Sequence, residues 1–72
     1  DPETNPTIIL RARILAVVGN ADSPITRGQL KTRLSAPQRG RADGELEWLI
    51  ERGYLTDTDG VLATTGKKWH VL

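Results

Sequence analysis

The 72-residue chain reads as an α+β domain, mostly helical, in which three helices precede a short β-hairpin. Three observations predict this. Apolar residues recur at helical spacing in separate stretches, the last being Leu46, Leu49 and Ile50 with Ala42 a turn earlier. That stretch stops at Gly53, a residue suited to the left-handed conformation that closes many helices, and β-prone Tyr54 and Leu55 follow at once. Beyond them, two short strand-like runs flank Asp59-Gly60, a strong hairpin dipeptide.

Helix 1 has a clear start. Asn5 can accept hydrogen bonds from the first free amides, and Pro6 suits the first helical position, where no donor is needed. The helix is expected to run to about Val18 and to bury Leu10, Ile14, Val17 and Val18, with Ile8 and Leu15 beside them. Arg11 and Arg13 leave toward solvent, and Gly19 and Asn20 end the helix. Ala21-Asp22-Ser23-Pro24 is a turn, and Ile25 is a single apolar residue in a candidate short strand.

Helix 2 opens at Thr26, with Gln29 three residues on at capping-box spacing. It buries Leu30 and Leu34 and carries Arg27, Lys31 and Arg33 on other faces, while Gly28 weakens it by roughly 1 kcal/mol relative to alanine. Residues 35–41 leave two starts for helix 3. It begins near Gln38, because Pro37 can open a helix, or it is capped by Asp43 and the Gln-Arg-Gly-Arg segment is a loop. Both put the same basic residues before the same apolar face.

After Gly53, strands are expected at residues 54–58 and 61–64. Thr64 or Thr65 then caps a last helical turn through Lys67, Lys68 and Trp69, and His70-Val71-Leu72 form an apolar tail that folds back on the core.

A chain this short is one domain that buries only about 60% of the surface its unfolded form exposes. With no phenylalanine, and Trp48, Tyr54 and Trp69 as the aromatics, aliphatic side chains must fill the core. The absence of cysteine removes disulfides and thiolate metal sites and favours an intracellular setting, cytoplasmic or nucleoid-associated. The longest apolar run, residues 14–18, falls far short of the ~20 that span a bilayer, so no membrane partner is expected. Residues 1–6 are polar and linker-like ahead of a domain over residues 7–72, as in a domain cut from a longer protein; a processed N-terminus or an expression scar would look the same.

A net charge of +1 hides strong segregation. Residues 7–42 hold seven basic side chains and one acidic one, whereas residues 43–59 hold six acidic and one basic. Two solvated faces of opposite sign are the commonplace reading. Where the basic segment lies in the fold decides whether it means more.

The order helix, helix, helix, hairpin, with a tight turn between the second and third helices, resembles the winged helix-turn-helix family. The likeness is carried by Ile25-Thr26 with Leu30 and Leu34, by Leu46, Leu49 and Gly53-Tyr54-Leu55, and by Leu62 with Gly66-Lys67 beyond; Ala63 stands where the family usually has threonine. The resemblance implies a three-helix winged helix-turn-helix domain with a β-hairpin wing. In that family helix 3 enters the major groove, the preceding helix contacts phosphates, and the wing touches the minor groove or backbone.

By position, Gln38, Arg39 and Arg41 become candidates for base edges, since arginine pairs with guanine and glutamine with adenine. Arg27, Lys31 and Arg33, with Lys67 and Lys68 past the wing, become phosphate candidates. The implied function is a non-catalytic DNA-binding module, for duplex rather than single strands, in replication or transcription regulation.

Departures from the pattern support an alternative. Asp57 and Asp59 on the wing, and Glu45, Glu47 and Glu51 along helix 3, repel phosphates. Gly40 and Gly44 thin helix 3, and on a helical wheel Arg41, Gly44 and Trp48 point away from the apolar face. Trp48 is then either a cover for the hairpin or a protein-docking anchor, a role that tryptophan and arginine often take. The alternative is a protein–protein interaction winged helix appended to a replication or recombination protein, with a separate protein or the rest of a larger parent chain as its partner. Charge geometry separates the two. A continuous surface of Arg27, Lys31, Arg33, Arg39 and Arg41 favours DNA, and interruption by Asp57 and Glu45 favours protein.

No catalytic, metal or cofactor set emerges. Asp57-Thr58-Asp59-Gly60 begins like a calcium loop, but Val61 occupies the next ligand position and Lys68 stands where the bidentate glutamate belongs. His70 is the lone histidine, and the glycines have neither Walker nor dinucleotide spacing.

Overall fold

The computed structural model describes residues 5–68. Within them lie helices α1 (Pro6–Asn20), α2 (Arg27–Thr32) and α3 (Ala36–Glu51) and strands β1 (Ile25–Thr26), β2 (Leu55–Thr58) and β3 (Val61–Thr64). The strands form one antiparallel sheet in the order β1-β3-β2, with Ile25 opposite Leu62 and Leu55 opposite Thr64. Ile25, Leu55 and Leu62 bring the sheet's inner face to a core completed by Leu10, Ile14, Val18, Leu30, Leu34, Ala42, Leu46 and Leu49. No helix among the described residues is long and apolar enough to cross a membrane.

Each helix starts where side chains replace missing backbone partners. Asn5 Oδ1 accepts from the amides of Thr7 at 2.9 Å and Ile8 at 3.4 Å, as the sequence led one to expect. α1 continues to Asn20, two residues past the expected end, because Gly19 tolerates a helical conformation as well as a terminal one. Arg11 is also corrected: it is drawn in against α3 rather than released to solvent, with only 18% of its side chain exposed.

In α2 the capping box is complete, Gln29 N donating to Thr26 Oγ1 at 3.2 Å and Thr26 N to Gln29 Oε1 at 2.9 Å. The single apolar residue Ile25 does enter a strand, pairing with β3.

Neither expected start of α3 is the observed one. The helix opens at Ala36 with Ser35 as its cap, Pro37 in its first turn, and Ser35 N donating to Gln38 Oε1 at 3.2 Å. Ser35 and Gln38 repeat the spacing of Thr26 and Gln29. Gly40, which seemed to oppose a helix there, is carried through because Ala42, Leu46 and Leu49 bury the opposite face completely. The helix ends as expected at Gly53, whose φ is 83°, with Tyr54 N donating to Leu49 O at 2.9 Å and Gly53 N to Ile50 O at 3.1 Å. This is the paired bonding that a left-handed residue allows at a helix end.

The hairpin loop is Asp59-Gly60, both with positive φ (54° and 83°), the requirement of a two-residue turn that matches strand twist. β2 starts at Leu55, one residue after the expected position. Residues 65–68 form no helix, so the expected last turn is absent from them; Trp69 and the tail 70–72 lie outside the described residues, as do residues 1–4 of the linker-like segment.

Candidate interaction surface

α3 is held along both flanks by polar contacts, and these occupy most of the side chains singled out for DNA. On one flank it meets α2. Arg27 Nη2 donates to Glu47 Oε1 at 2.7 Å and to Asp57 Oδ2 at 2.8 Å, its Nε reaches the same Asp57 oxygen at 3.0 Å, and Asp43 lies 3.7 Å from Nη1. Lys31 Nζ donates to Asp43 Oδ2 at 2.8 Å. Arg27 and Lys31 are a helical turn apart, as are Asp43 and Glu47, so two facing rows interlock.

Asp57 reaches this network because strand side chains alternate. Leu55 is buried on the inner face and Asp57, two residues on, follows it to that face. Its second oxygen, Oδ1, accepts from Gly60 N at 2.9 Å and braces the hairpin turn. This acidic residue thus ties α2 to the hairpin.

These pairings move two ionisations. The hydrogen bond to Glu47, followed by that to Asp57, holds the Arg27 guanidinium above its already high ordinary value. The hydrogen bond from Lys31, with the nearby charges of Lys31 and Arg27, holds the Asp43 carboxyl below the usual aspartate value, partial burial opposing. Two cations face three carboxylates here, so this patch, shared by α2, α3 and β2, carries a net negative charge.

On its other flank α3 meets α1. Arg41 Nη2 donates to Thr7 Oγ1, and Arg11 Nε donates to Glu45 Oε2 at 2.7 Å. The Arg11 guanidinium also lies 3.7 Å from the centre of the Trp48 ring. Arg41 stays exposed, off the apolar face as expected, whereas Trp48 is half-buried and packs against the core. Trp48 further stacks on Tyr54, ring centres 6.2 Å apart and 9° from parallel, with Arg52 at 4.9 Å from the Trp48 centre. Trp48 is half-buried beside the start of the hairpin rather than projecting as a bare knob.

Of the three base-edge candidates, Gln38 spends its side chain on the helix cap, Arg41 is tied to Thr7, and Arg39 is exposed with its Nε donating to Leu34 O at 3.1 Å. Among the phosphate candidates, Arg27 and Lys31 are paired as above, and Lys67 Nζ donates to Arg52 O at 2.8 Å while lying over the Tyr54 ring at 4.6 Å. Lys67 and Thr65, whose Oγ1 donates to Gly53 O at 2.6 Å, so satisfy carbonyls at the end of α3. Arg33 and Lys68, like Arg13, are exposed and make no ion pair among the described residues.

One feature escaped the sequence reading. Between the first turns of α1 and α3 runs a cleft of about 160 Å³ lined by Pro6, Ile9, Leu10, Pro37, Gln38 and Arg41. The signal was available in Ile9, an apolar residue off the buried stripe of α1, which remains 42% exposed.

Among the described residues no cluster of histidine, cysteine or carboxylate groups is arranged to hold a metal ion. No protein-family model, curated protein or solved structure matches the chain.

Proposed function

We propose that the chain is a non-catalytic protein-interaction module on a winged helix-turn-helix scaffold, with a separate protein or the rest of a larger parent chain as its partner. The scaffold reading rests on the order of elements, three helices and then a hairpin, with a tight turn between α2 and α3. The interaction reading rests on one observation: Arg27, one of the five residues of the expected basic surface, is engaged by Glu47 and Asp57, with Asp43 nearby. A helix that contacts phosphates needs its cations free, whereas carboxylates engage Arg27 of α2.

Duplex DNA binding is the second reading, favoured by Arg13, Arg33 and Arg39, which are exposed and unpaired by any carboxylate among the described residues. An exposed ion pair is worth only about 0–1 kcal/mol, so phosphate competes for Arg27 and Lys31 at low salt.

Amide shifts of the full chain, followed with duplex DNA at low and moderate salt, separate the readings when combined with selection from a displayed random-peptide library. The protein reading expects DNA shifts that vanish at moderate salt, and selected peptides that produce saturable shifts on one face. Saturable DNA shifts on α3 that persist at moderate salt and disappear in Arg39→Ala, with no peptide selected, overturn it.

A further inference from the structure

We infer that the cleft between the first turns of α1 and α3 receives an apolar side chain, leucine or phenylalanine, of an acidic amphipathic peptide segment. This rests on the protein-interaction reading and assigns its site. At about 160 Å³ the cleft is well below the roughly 300–1,000 Å³ of small-molecule sites, so it fits one side chain rather than a metabolite. Its floor is Leu10, 1% exposed, and its lip is Ile9, the large hydrophobic residue left exposed among the described residues. Pro6 and Pro37 line it from the first turns of two helices, where their fixed backbone costs no hydrogen bond and leaves little motion to lose on binding.

Charge selects the partner. Arg41 lies in the lining, held there by its Nη2 bond to Thr7, and a guanidinium has five donors, so others remain for a carboxylate. Among the described residues, neither α1 nor α3 has an acidic residue in its first turn, where a carboxylate would repel an acidic segment. Gly40, a turn along α3 from Pro37, has nothing within 4 Å of where a side chain would begin, which leaves room for a partner backbone to approach. An acidic amphipathic segment that seats one leucine or phenylalanine in the cleft meets these conditions.

The test uses a fluorescently labelled peptide of about 15 residues, a length at which isolated helices become viable, with one central leucine flanked by glutamates. Anisotropy with the full chain should show saturable binding that weakens with salt. Ile9→Asp should reduce affinity about tenfold or more, because it sets a charge against apolar contacts, while leaving the melting temperature unchanged. Arg41→Ala should weaken binding severalfold and flatten its salt dependence.

Equal binding by Ile9→Asp, or by a peptide with lysine in place of glutamate, overturns the assignment. Self-association in sedimentation that Ile9→Asp abolishes overturns it in favour of a second copy of this chain. Library-selected peptides whose shifts fall around Trp48 and Tyr54 instead of Ile9 overturn the cleft and leave the protein-interaction reading standing. Binding of duplex DNA with no peptide bound overturns both.

Discussion

Asp57 does two jobs with two oxygens, one bracing the hairpin turn at Gly60 and the other meeting Arg27 of α2. The two can be separated by substitution. Asp57→Ala should cost about 1–2 kcal/mol in urea unfolding, from a turn hydrogen bond worth about 1 and an ion pair worth about 0.2–1. Asp57→Asn keeps an acceptor for Gly60 and should cost no more than about half as much; equal losses for both would show that the turn bond contributes nothing. Asp43 gives a pH prediction. Its pKa is lowered in the folded chain by the hydrogen bond from Lys31, so its contribution is complete above the ordinary aspartate value of about 3.9 and is lost as pH falls through the lower folded value. With its side chain 61% exposed, the effect is expected to stay under about 1 kcal/mol. The stability difference between the parent and Asp43→Asn should therefore shrink as pH falls below about 4 and be flat above about 5. Arg27, whose value is raised by Glu47 and Asp57, would itself lose its proton only in strong alkali.

At the scale of elements, glycine has opposite meanings within one segment of chain. Gly40 and Gly44 lie inside α3, exposed and with nothing within 4 Å of where a side chain would begin, so alanine at either should stabilise the domain by up to about 1 kcal/mol. Gly53 has the same open surroundings but a φ of 83°, and Gly53→Ala should instead cost roughly 1–2 kcal/mol. Thermal melts of the three variants check both signs. Gly40→Ala adds a readout of function: if a partner backbone lies close to this turn, it should stabilise the fold and weaken binding together. The sequence was informative about elements because these signals are local. Thr26 with Gln29, Gly53, and Asp59-Gly60 each mark an end or a turn through neighbours within a few residues. It was least informative at residues 35–41, where Ser35 and Gln38 held the same capping signal but Gly40 pulled against it locally, and burial of Ala42, Leu46 and Leu49 decided the outcome. The site was harder to foresee. That Arg27 would face Glu47 and Asp57, or Arg11 face Glu45, depends on partners 20 to 34 positions away, which no local pattern encodes.

For the whole molecule, the division of labour between core and surface can be tested by size of effect. The buried set is aliphatic and small, and Leu46, Leu49, Leu62, Leu30 and Ile14 are all 0% exposed. At roughly 0.05–0.15 kcal/mol per residue, a domain of 72 residues has a total stability of about 4–11 kcal/mol. Leu46→Ala removes a side chain from the centre of the core and should cost about 2–5 kcal/mol, a large part of that total. Ile9, apolar but 42% exposed at the lip of the cleft, should cost less than about 1 kcal/mol when replaced by alanine. Urea unfolding of both variants, followed by circular dichroism, measures the contrast directly. A fold held by its aliphatic core predicts a far lower midpoint for Leu46→Ala and an almost unchanged one for Ile9→Ala. Similar losses at the two positions would mean that Ile9 is part of the core, and an exposed apolar residue free to meet a partner would no longer be available. An almost unchanged midpoint for Ile9→Ala would instead leave Ile9, at the lip of the cleft, available to a partner.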